Sequence, residues 1–495
     1  MLRRLKNIFF NDFFLCFFSG LLSGLSFWHV YLSGLSFFSF SLFFYSISKQ
    51  SYKKGVALSF IFGLTFYLTA IFWIGYVTKL GLVLLIIYLS LYPVLFFTLA
   101  GRYLISKYNI LIVPAFWVLI QWLQEHVWCG FGWTDIGYLY TKYLYFFQVV
   151  DLAGIKILSF FTLMVNVFIF EIFFSKRISL KKLFLIFALG IFAFFYSSNK
   201  VNGLAETSDT IKLAIVQPNV SQEDKWDEDK KMSVINKLAY MAKPIFDDVL
   251  VIYPETAWPI IINRQTSSGL KDFVRYVRRD MLIGVVREDR GNFFNSAFLI
   301  NKDGPDIVQT YDKIRLVPFG EYIPMRNMLG FIDIVNQIGD TTSGDKETVF
   351  RYKGCQFTLL ICFEDIFSSF VRHQAQKSNF MVNITNDAWF NGNPQAQQHV
   401  AILTARAVEN GISFVRCANT GISGYIDRLG RLIDMDIDDG LFLSAQKTFD
   451  VSVASQRSFY NKYGDWFIIF CVIITLINEL FLVRRRTYGV NNKSS

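Results

Sequence analysis

The chain has 495 residues, 53% of them hydrophobic and 18% aromatic. That balance excludes an ordinary soluble protein and points to membrane spans. The formal charge of +10 does not mark a nucleic-acid binder. Many of the cations flank apolar blocks in short clusters, and no basic run carries interleaved aromatics.

In chain order, seven apolar stretches come first, at about 8–27, 30–48, 55–77, 80–105, 108–124, 153–174 and 181–197. Each is near the length that crosses a bilayer. An eighth lies at 466–483. Five Lys/Arg clusters flank them: Arg3, Arg4 and Lys6; Lys49, Lys53 and Lys54; Arg102 and Lys107; Lys176, Arg177, Lys181 and Lys182; and Arg484, Arg485 and Arg486. With eight spans all five fall on one side, which the positive-inside rule makes the cytoplasm. The polar region between the last two spans then projects outward. The Arg-Arg-Leu-Lys start reads as the flank of a retained first span, since no small-x-small site follows the apolar stretch. Residues 125–152 carry Glu125, His126, Trp128, Trp133 and Asp135. Two readings stand for them: an interfacial aromatic belt, or the lining of a lipid headgroup entrance.

The expected organisation is a membrane domain at 1–198, an outer domain at 205–460 and a last span at 466–483. The outer domain alternates short β-rich runs with helical segments. Strands are predicted at 211–217, 249–253, 281–286, 297–300, 357–361 and 380–385, and helices at 227–243, 266–279, 365–376 and 395–409. This mixture implies a sheet covered by helices, with reactive residues at strand ends. The six cysteines show no CxxC pair and no regular spacing, so neither a disulfide framework nor a zinc site is expected.

Three polar residues end apolar runs: Glu255 after Val-Leu-Val-Ile-Tyr-Pro, Lys313 after Tyr-Asp, and Cys362 after Thr-Leu-Leu-Ile. A cysteine thiol needs a nearby base or cation to react near neutral pH. Neither His373 nor His399 sits in a Cys/His protease signature, so Glu255 and Lys313 are the better partners. Glu255 can take the thiol proton and return it to a leaving group. Lys313 can stabilise the thiolate and then an oxyanion.

These segments resemble the carbon–nitrogen hydrolase, or nitrilase, superfamily. Pro254-Glu255 is similar to its Glu motif. Tyr311-Asp-Lys313, followed by Leu-Val-Pro-Phe-Gly-Glu321, is similar to its Lys motif, and Ile361-Cys362-Phe363-Glu364 to its Cys motif. With eight spans around this domain, the whole chain resembles the bacterial apolipoprotein N-acyltransferase family. Trp226, Val317–Pro324, Asn386–Phe390, Arg406-Ala-Val-Glu-Asn and Arg416–Gly421 add to that resemblance. The chain departs from the family at Asn391, where Gly is usual, and at Phe363, where Tyr is common.

The resemblance implies a polytopic α-helical membrane region of about eight helices plus a nitrilase-like αββα sandwich. It implies a Glu255–Lys313–Cys362 triad, with Glu321 beside it and Glu364 either positioning the amine or Lys313 or serving equally as a structural contact. Trp226, Trp389 and Phe390 are candidate lids, and Phe363 neighbours the nucleophile. Ordinary core packing is the alternative for the three aromatics. The expected partners are a phospholipid acyl donor and a diacylglyceryl apolipoprotein acceptor in the cytoplasmic (inner) membrane of a bacterium, with the catalytic domain on the periplasmic side. No cofactor, metal or nucleic acid is implied, and the enzyme is expected to act as a monomer. Two rivals remain: a membrane-anchored amidase using water, and a non-enzymatic receptor or transporter. Few intramembrane charges and no repeat argue against transport.

Overall fold

The computed structural model describes residues 11–174, 176, 178–203, 209–323, 340–390, 394–435, 443–454 and 456–491. The chain divides into two compact units, 1–203 with 462–495, and 204–461.

In the first unit, helices coincide with the eight apolar stretches of the sequence. They are α1 (Asp12–Leu25), α2 (Ser36–Ile47), α3 (Tyr52–Ile71), α4 (Lys79–Ala100), α5 (Asn109–His126), α6 (Lys156–Phe174), α7 (Leu180–Gly203) and, after the second unit, α13 (Trp466–Asn491). Among the described residues, five segments are long and apolar enough to cross a membrane: Val30–Ile47, Tyr52–Tyr76, Lys79–Tyr103, Lys156–Phe173 and Leu180–Gly203. Gln121, Gln124 and Glu125 dilute the apolar character of α5.

Small residues let these helices approach closely. A Cβ on Gly20 would lie 2.6 Å from the Phe62 carbonyl oxygen, and one on Gly24 2.8 Å from that of Phe66. The Gly20-x-x-x-Gly24 face is therefore what seats α1 on α3. Ser23 bonds Ser39 at 2.8 Å across to α2. The segment 125–152 is more folded in than either sequence reading supposed. Trp133 and Asp135 are buried, with Trp133 against Trp73 at 5.0 Å, while Trp128 is exposed and meets Tyr88 edge-on.

The second unit holds two six-stranded sheets. One has the order β12-β1-β2-β3-β4-β5 and the other β11-β10-β9-β8-β7-β6. The first contains β1 (Thr210–Gln217), β2 (Leu250–Ile252), β3 (Met281–Asp289), β4 (Asn292–Ile300), β5 (Ile307–Asp312) and β12 (Ala445–Ser452). The second contains β6 (Phe350–Tyr352), β7 (Cys355–Ile361), β8 (Phe380–Thr385), β9 (Phe414–Ala418), β10 (Gly424–Ile426) and β11 (Leu432–Asp434).

Strand alternation explains the layers. Leu213, Ile215, Leu250 and Ile252 from one sheet share a core with Leu359, Ile361, Val382 and Val415 from the other. Their neighbours Ala214, Val216, Val251 and Tyr253 point the opposite way, into a core closed by α9 (Lys231–Ala242), which follows the short α8 (Gln222–Trp226), and by α10 (Ser267–Val277). Leu360 and Met381 likewise face α11 (Ser368–Ala375) and α12 (Gln395–Asn410). The result is an αββα sandwich, with each sheet apolar on both faces.

Candidate active site

β2, β5 and β7 each end in a turn, and those turns carry Glu255, Lys313 and Cys362. Lys313 is buried and donates to Glu321 Oε1 at 2.9 Å, with Glu255 Oε1 at 3.6 Å. The thiol of Cys362 lies within electrostatic reach of both Lys313 and Glu255.

Strain marks these turns. Cys362 has φ +53°, Thr256 beside Glu255 has +46°, and Phe319 ahead of Glu321 has +60°. Non-glycine residues rarely adopt this region, and such outliers cluster at functional sites.

Burial pushes the Cys362 thiol well above its ordinary value, and the Glu255 carboxylate adds to this while Lys313 opposes it. Cys362 therefore rests as a thiol. Burial disfavours the Lys313 ammonium, but Glu321 and Glu255 outweigh that and hold it above the usual lysine range. Lys313 is thus a fixed cation and not a proton carrier.

Sequence reasoning missed three supports of this group. Asn295, within β4, donates to Glu255 Oε1 at 2.8 Å and to Glu321 Oε1 at 3.0 Å, so one amide aligns both carboxylates. Gly284, within β3, lies under the Glu255 turn, where a Cβ would be 2.4 Å from the Pro254 carbonyl oxygen and 2.8 Å from Glu255 Cα. Lys225 is buried beside them and donates to Thr256 Oγ1 at 3.3 Å. Burial lowers Lys225 to about 8, against the pull of Glu255. Neither Asn295 nor Gly284 interrupts its strand in a way that signals a site, because their roles depend on contacts between strands.

Glu364 is fully buried and accepts from the backbone N–H of Ile361 (2.7 Å), Ile314 (2.8 Å) and Arg315 (3.0 Å), and from the Tyr311 hydroxyl (2.8 Å). It ties the strand before Cys362 to the turn after Lys313. Burial raises its carboxyl to about 7, with the Ile361 and Arg315 N–H groups pulling the other way. These bonds make Glu364 a clamp on the two turns. Phe363 is buried edge-on against Phe367 at 5.5 Å. Trp226 and Trp389 are 42% and 52% exposed, too open for core packing, and Phe390 is partly buried. Pro324 and Asn391 lie outside the described residues.

A buried polar network adjoins the Cys362 turn. It includes Asp365, Asp387, His399 and Arg416, all at most 3% exposed. His399, which the sequence set aside for want of a protease signature, is at its centre.

The sandwich and its strand-end Glu, Lys and Cys define a carbon–nitrogen hydrolase-type domain, and residues 212–440 match the carbon–nitrogen hydrolase family model. An amidase from Nesterenkonia sp. AN1 aligns at 16% identity and a TM-score of 0.40, covering 53% of this chain and 97% of its own. Residues 19–168 match the apolipoprotein N-acyltransferase N-terminal domain. The apolipoprotein N-acyltransferase of Geobacter metallireducens is 30% identical over 506 residues, covering 96% of each chain. That of Rickettsia prowazekii is 27% identical, covering 85% of this chain and 88% of its own. The chain belongs to the apolipoprotein N-acyltransferase family. It is an enzyme, and its long apolar helices make it a membrane protein.

Proposed function

We propose that this enzyme moves a fatty acyl group from a membrane phospholipid to the N-terminal amine of a diacylglyceryl-cysteine on an apolipoprotein. One observation carries the mechanism: Lys313 is locked between Glu255 and Glu321 beside a thiol held on a strained turn.

In the first half-reaction Glu255 takes the Cys362 proton as sulfur attacks the acyl ester carbonyl. The Lys313 ammonium stabilises the oxyanion. The tetrahedral intermediate collapses, Glu255 returns the proton to the departing glycerol oxygen, and a lysophospholipid leaves. Cys362 is now a thioester. In the second half-reaction the acceptor amine attacks that thioester and gives its extra proton to Glu255. The thiolate departs and is reprotonated, leaving an amide on the lipoprotein. Charge separation is small at each step because the proton moves between two groups of one buried cluster.

Both substrates are held in the bilayer. A reaction at its surface avoids carrying a chain into water, which costs about 0.8 kcal/mol per CH₂. The Lys/Arg clusters between spans favour a sandwich unit on the outer, periplasmic side of the cytoplasmic membrane. Exposed Trp226 and Trp389 suit lids that shield the thioester from water. A membrane-anchored amidase would use the same triad but would not keep the acyl group for an amine.

Incubation with a phospholipid carrying a labelled acyl chain is expected to leave a hydroxylamine-labile label on the Cys362 peptide. A peptide that never acquires the label sinks the thioester route. Cys362→Ser is expected to leave lipoprotein N-termini without the third acyl chain by mass spectrometry.

A further inference from the structure

Four buried charges meet next to the nucleophile turn. Asp365 lies in the turn Cys362–Ile366 that follows β7, and Asp387 in the turn Asp387–Phe390 that follows β8. His399 projects from α12 and Arg416 from β9. His399 Nε2 lies 3.0 Å from Asp365 Oδ2, and Nδ1 lies 3.2 Å from Asp387 Oδ1. Arg416 bonds Asp387 Oδ2 at 2.7 Å and Asn383 Oδ1 at 2.8 Å.

The network touches the reacting residue. Asn383 Nδ2 donates to the Cys362 carbonyl oxygen at 3.4 Å. The Thr385 hydroxyl donates to Asp387 Oδ1 at 3.3 Å and is also a hydrogen-bond partner of the Cys362 thiol. Asp387 acts on that thiol electrostatically and disfavours its ionisation.

Counting charge identifies the critical proton. With His399 protonated, two carboxylates face two cations and the group is neutral. With His399 neutral, one negative charge is left over in a buried space beside the sulfur. Charged groups facing His399 include Asp365 from the turn after β7, Asp387 from the turn after β8, and Arg416 from β9. Burial and Arg416 disfavour the imidazolium, while Asp365 and Asp387 outweigh them and hold it up to about 8.

We propose that His399 is a positioning residue for the acyl-carrier thiol: its imidazolium cancels the Asp365 and Asp387 carboxylates, so that Cys362 can give up its proton. This rests on Cys362 as the nucleophile and adds a control on its reactivity that lies outside the triad. It also explains why a histidine is buried near a reactive cysteine without taking its proton. Nε2 of His399 is engaged by Asp365, and Nδ1 by Asp387 and, at 3.0 Å, by the Arg416 guanidinium.

The test is the pH profile of Cys362 alkylation by iodoacetamide in the full-length detergent-solubilised protein, read by mass spectrometry of the Cys362 peptide. His399→Gln leaves the network one charge negative at every pH. Alkylation at pH 7 is then expected to fall about tenfold, the effect of one unit charge across several ångströms at an effective dielectric near 20, and the profile should move to higher pH. His399→Gln/Asp365→Asn restores neutrality and should recover most of the rate, which a purely structural loss would not allow. Asp365→Asn alone makes the network positive while His399 is protonated and should speed alkylation below pH 7. If His399→Gln does not fold, this last variant decides the matter. Profiles that superimpose on the wild type, or a double variant no faster than His399→Gln, overturn the proposal. Trapping of the labelled acyl group on Cys362 tests the nucleophile itself, so failure of one reading is distinguishable from failure of the other.

Discussion

Lys156 in the helical unit and Lys313 in the sandwich are both buried, and each lies between two carboxylates. Lys156 reaches Asp135 at 2.5 Å and Glu125 at 3.2 Å. Asp135 also accepts from Ser159 and from the backbone N–H of Gly137. That group links the end of α5, the start of α6 and the segment between them. Lys313 instead holds one carboxylate closely, Glu321 at 2.9 Å, and the other loosely, Glu255 at 3.6 Å. The loosely held Glu255 adjoins a thiol on a left-handed turn. The difference teaches that a buried lysine–dicarboxylate group is not itself a mark of catalysis. A closed group holds chain segments together. One with a spare basic oxygen beside a nucleophile can move a proton.

Parallel substitutions break this comparison most sharply. Lys313→Met and Lys156→Met each leave two buried carboxylates uncompensated, and each is expected to cost about 3–5 kcal/mol of stability. Lys313→Met should also lower the rate of acyl-thioester formation about 10³-fold, as removal of an oxyanion donor does. Folded Lys156→Met protein should still form the thioester at near the wild-type rate. Thermal melting and the labelled-phospholipid assay, run on the same preparations, check both halves. Loss of thioester formation in well-folded Lys156→Met would undo the distinction.

Gly284→Ala perturbs only the open group. Its new Cβ would meet the Pro254 carbonyl oxygen at 2.4 Å, so the Glu255 turn must move. A displacement near 1 Å at a reacting group costs about 10²-fold in rate, against about 1–3 kcal/mol in stability from overpacking. Glu364→Gln is milder. It keeps one acceptor oxygen but turns an amide N–H toward groups that themselves donate. The expected loss is about 1–3 kcal/mol, with a smaller drop in rate than for Gly284→Ala, measured in the same assay.

Taken singly, Glu255, Lys313 and Cys362 carry no signal; they stood out because Pro254-Glu255, Tyr311-Asp-Lys313 and Ile361-Cys362-Phe363-Glu364 resemble the superfamily's motifs. The helices of the first unit were legible from apolar length alone. β9 was not, because Arg416 sits in the middle of Phe-Val-Arg-Cys-Ala and spoils an otherwise buried pattern. β12 was missed because its half-exposed run resembles a loop. Asn295, Gly284 and Lys225 acquire their roles only from neighbours on other segments, which no local pattern encodes. His399 is the clearest case: the sequence offered no cysteine-protease context, and only the fold brings Asp365, Asp387 and Arg416 around it.

Those buried groups sharpen the comparison at its weakest scale, the pH dependence of stability. His399 titrates above its ordinary 6.5, at about 8. Folding therefore favours its protonated form, and that stabilisation is complete below about pH 6.5 and lost as pH rises through about 8. A shift of this size corresponds to about 2 kcal/mol. Lys225 has the opposite sign. Its folded value of about 8 lies below the ordinary 10.5, so burying it costs stability at neutral pH, and that cost is relieved as pH rises from about 8 to 10.5. His399 should cost the sandwich unit stability between pH 6.5 and 8, and Lys225 should return stability at higher pH. Melting curves of the wild type and His399→Gln across this range separate the two effects. The decline should shrink in the variant to the part below about pH 7 that the raised Glu364 carboxyl supplies, while the later recovery persists. A decline of equal size in both proteins would mean that the His399 proton contributes nothing to the fold.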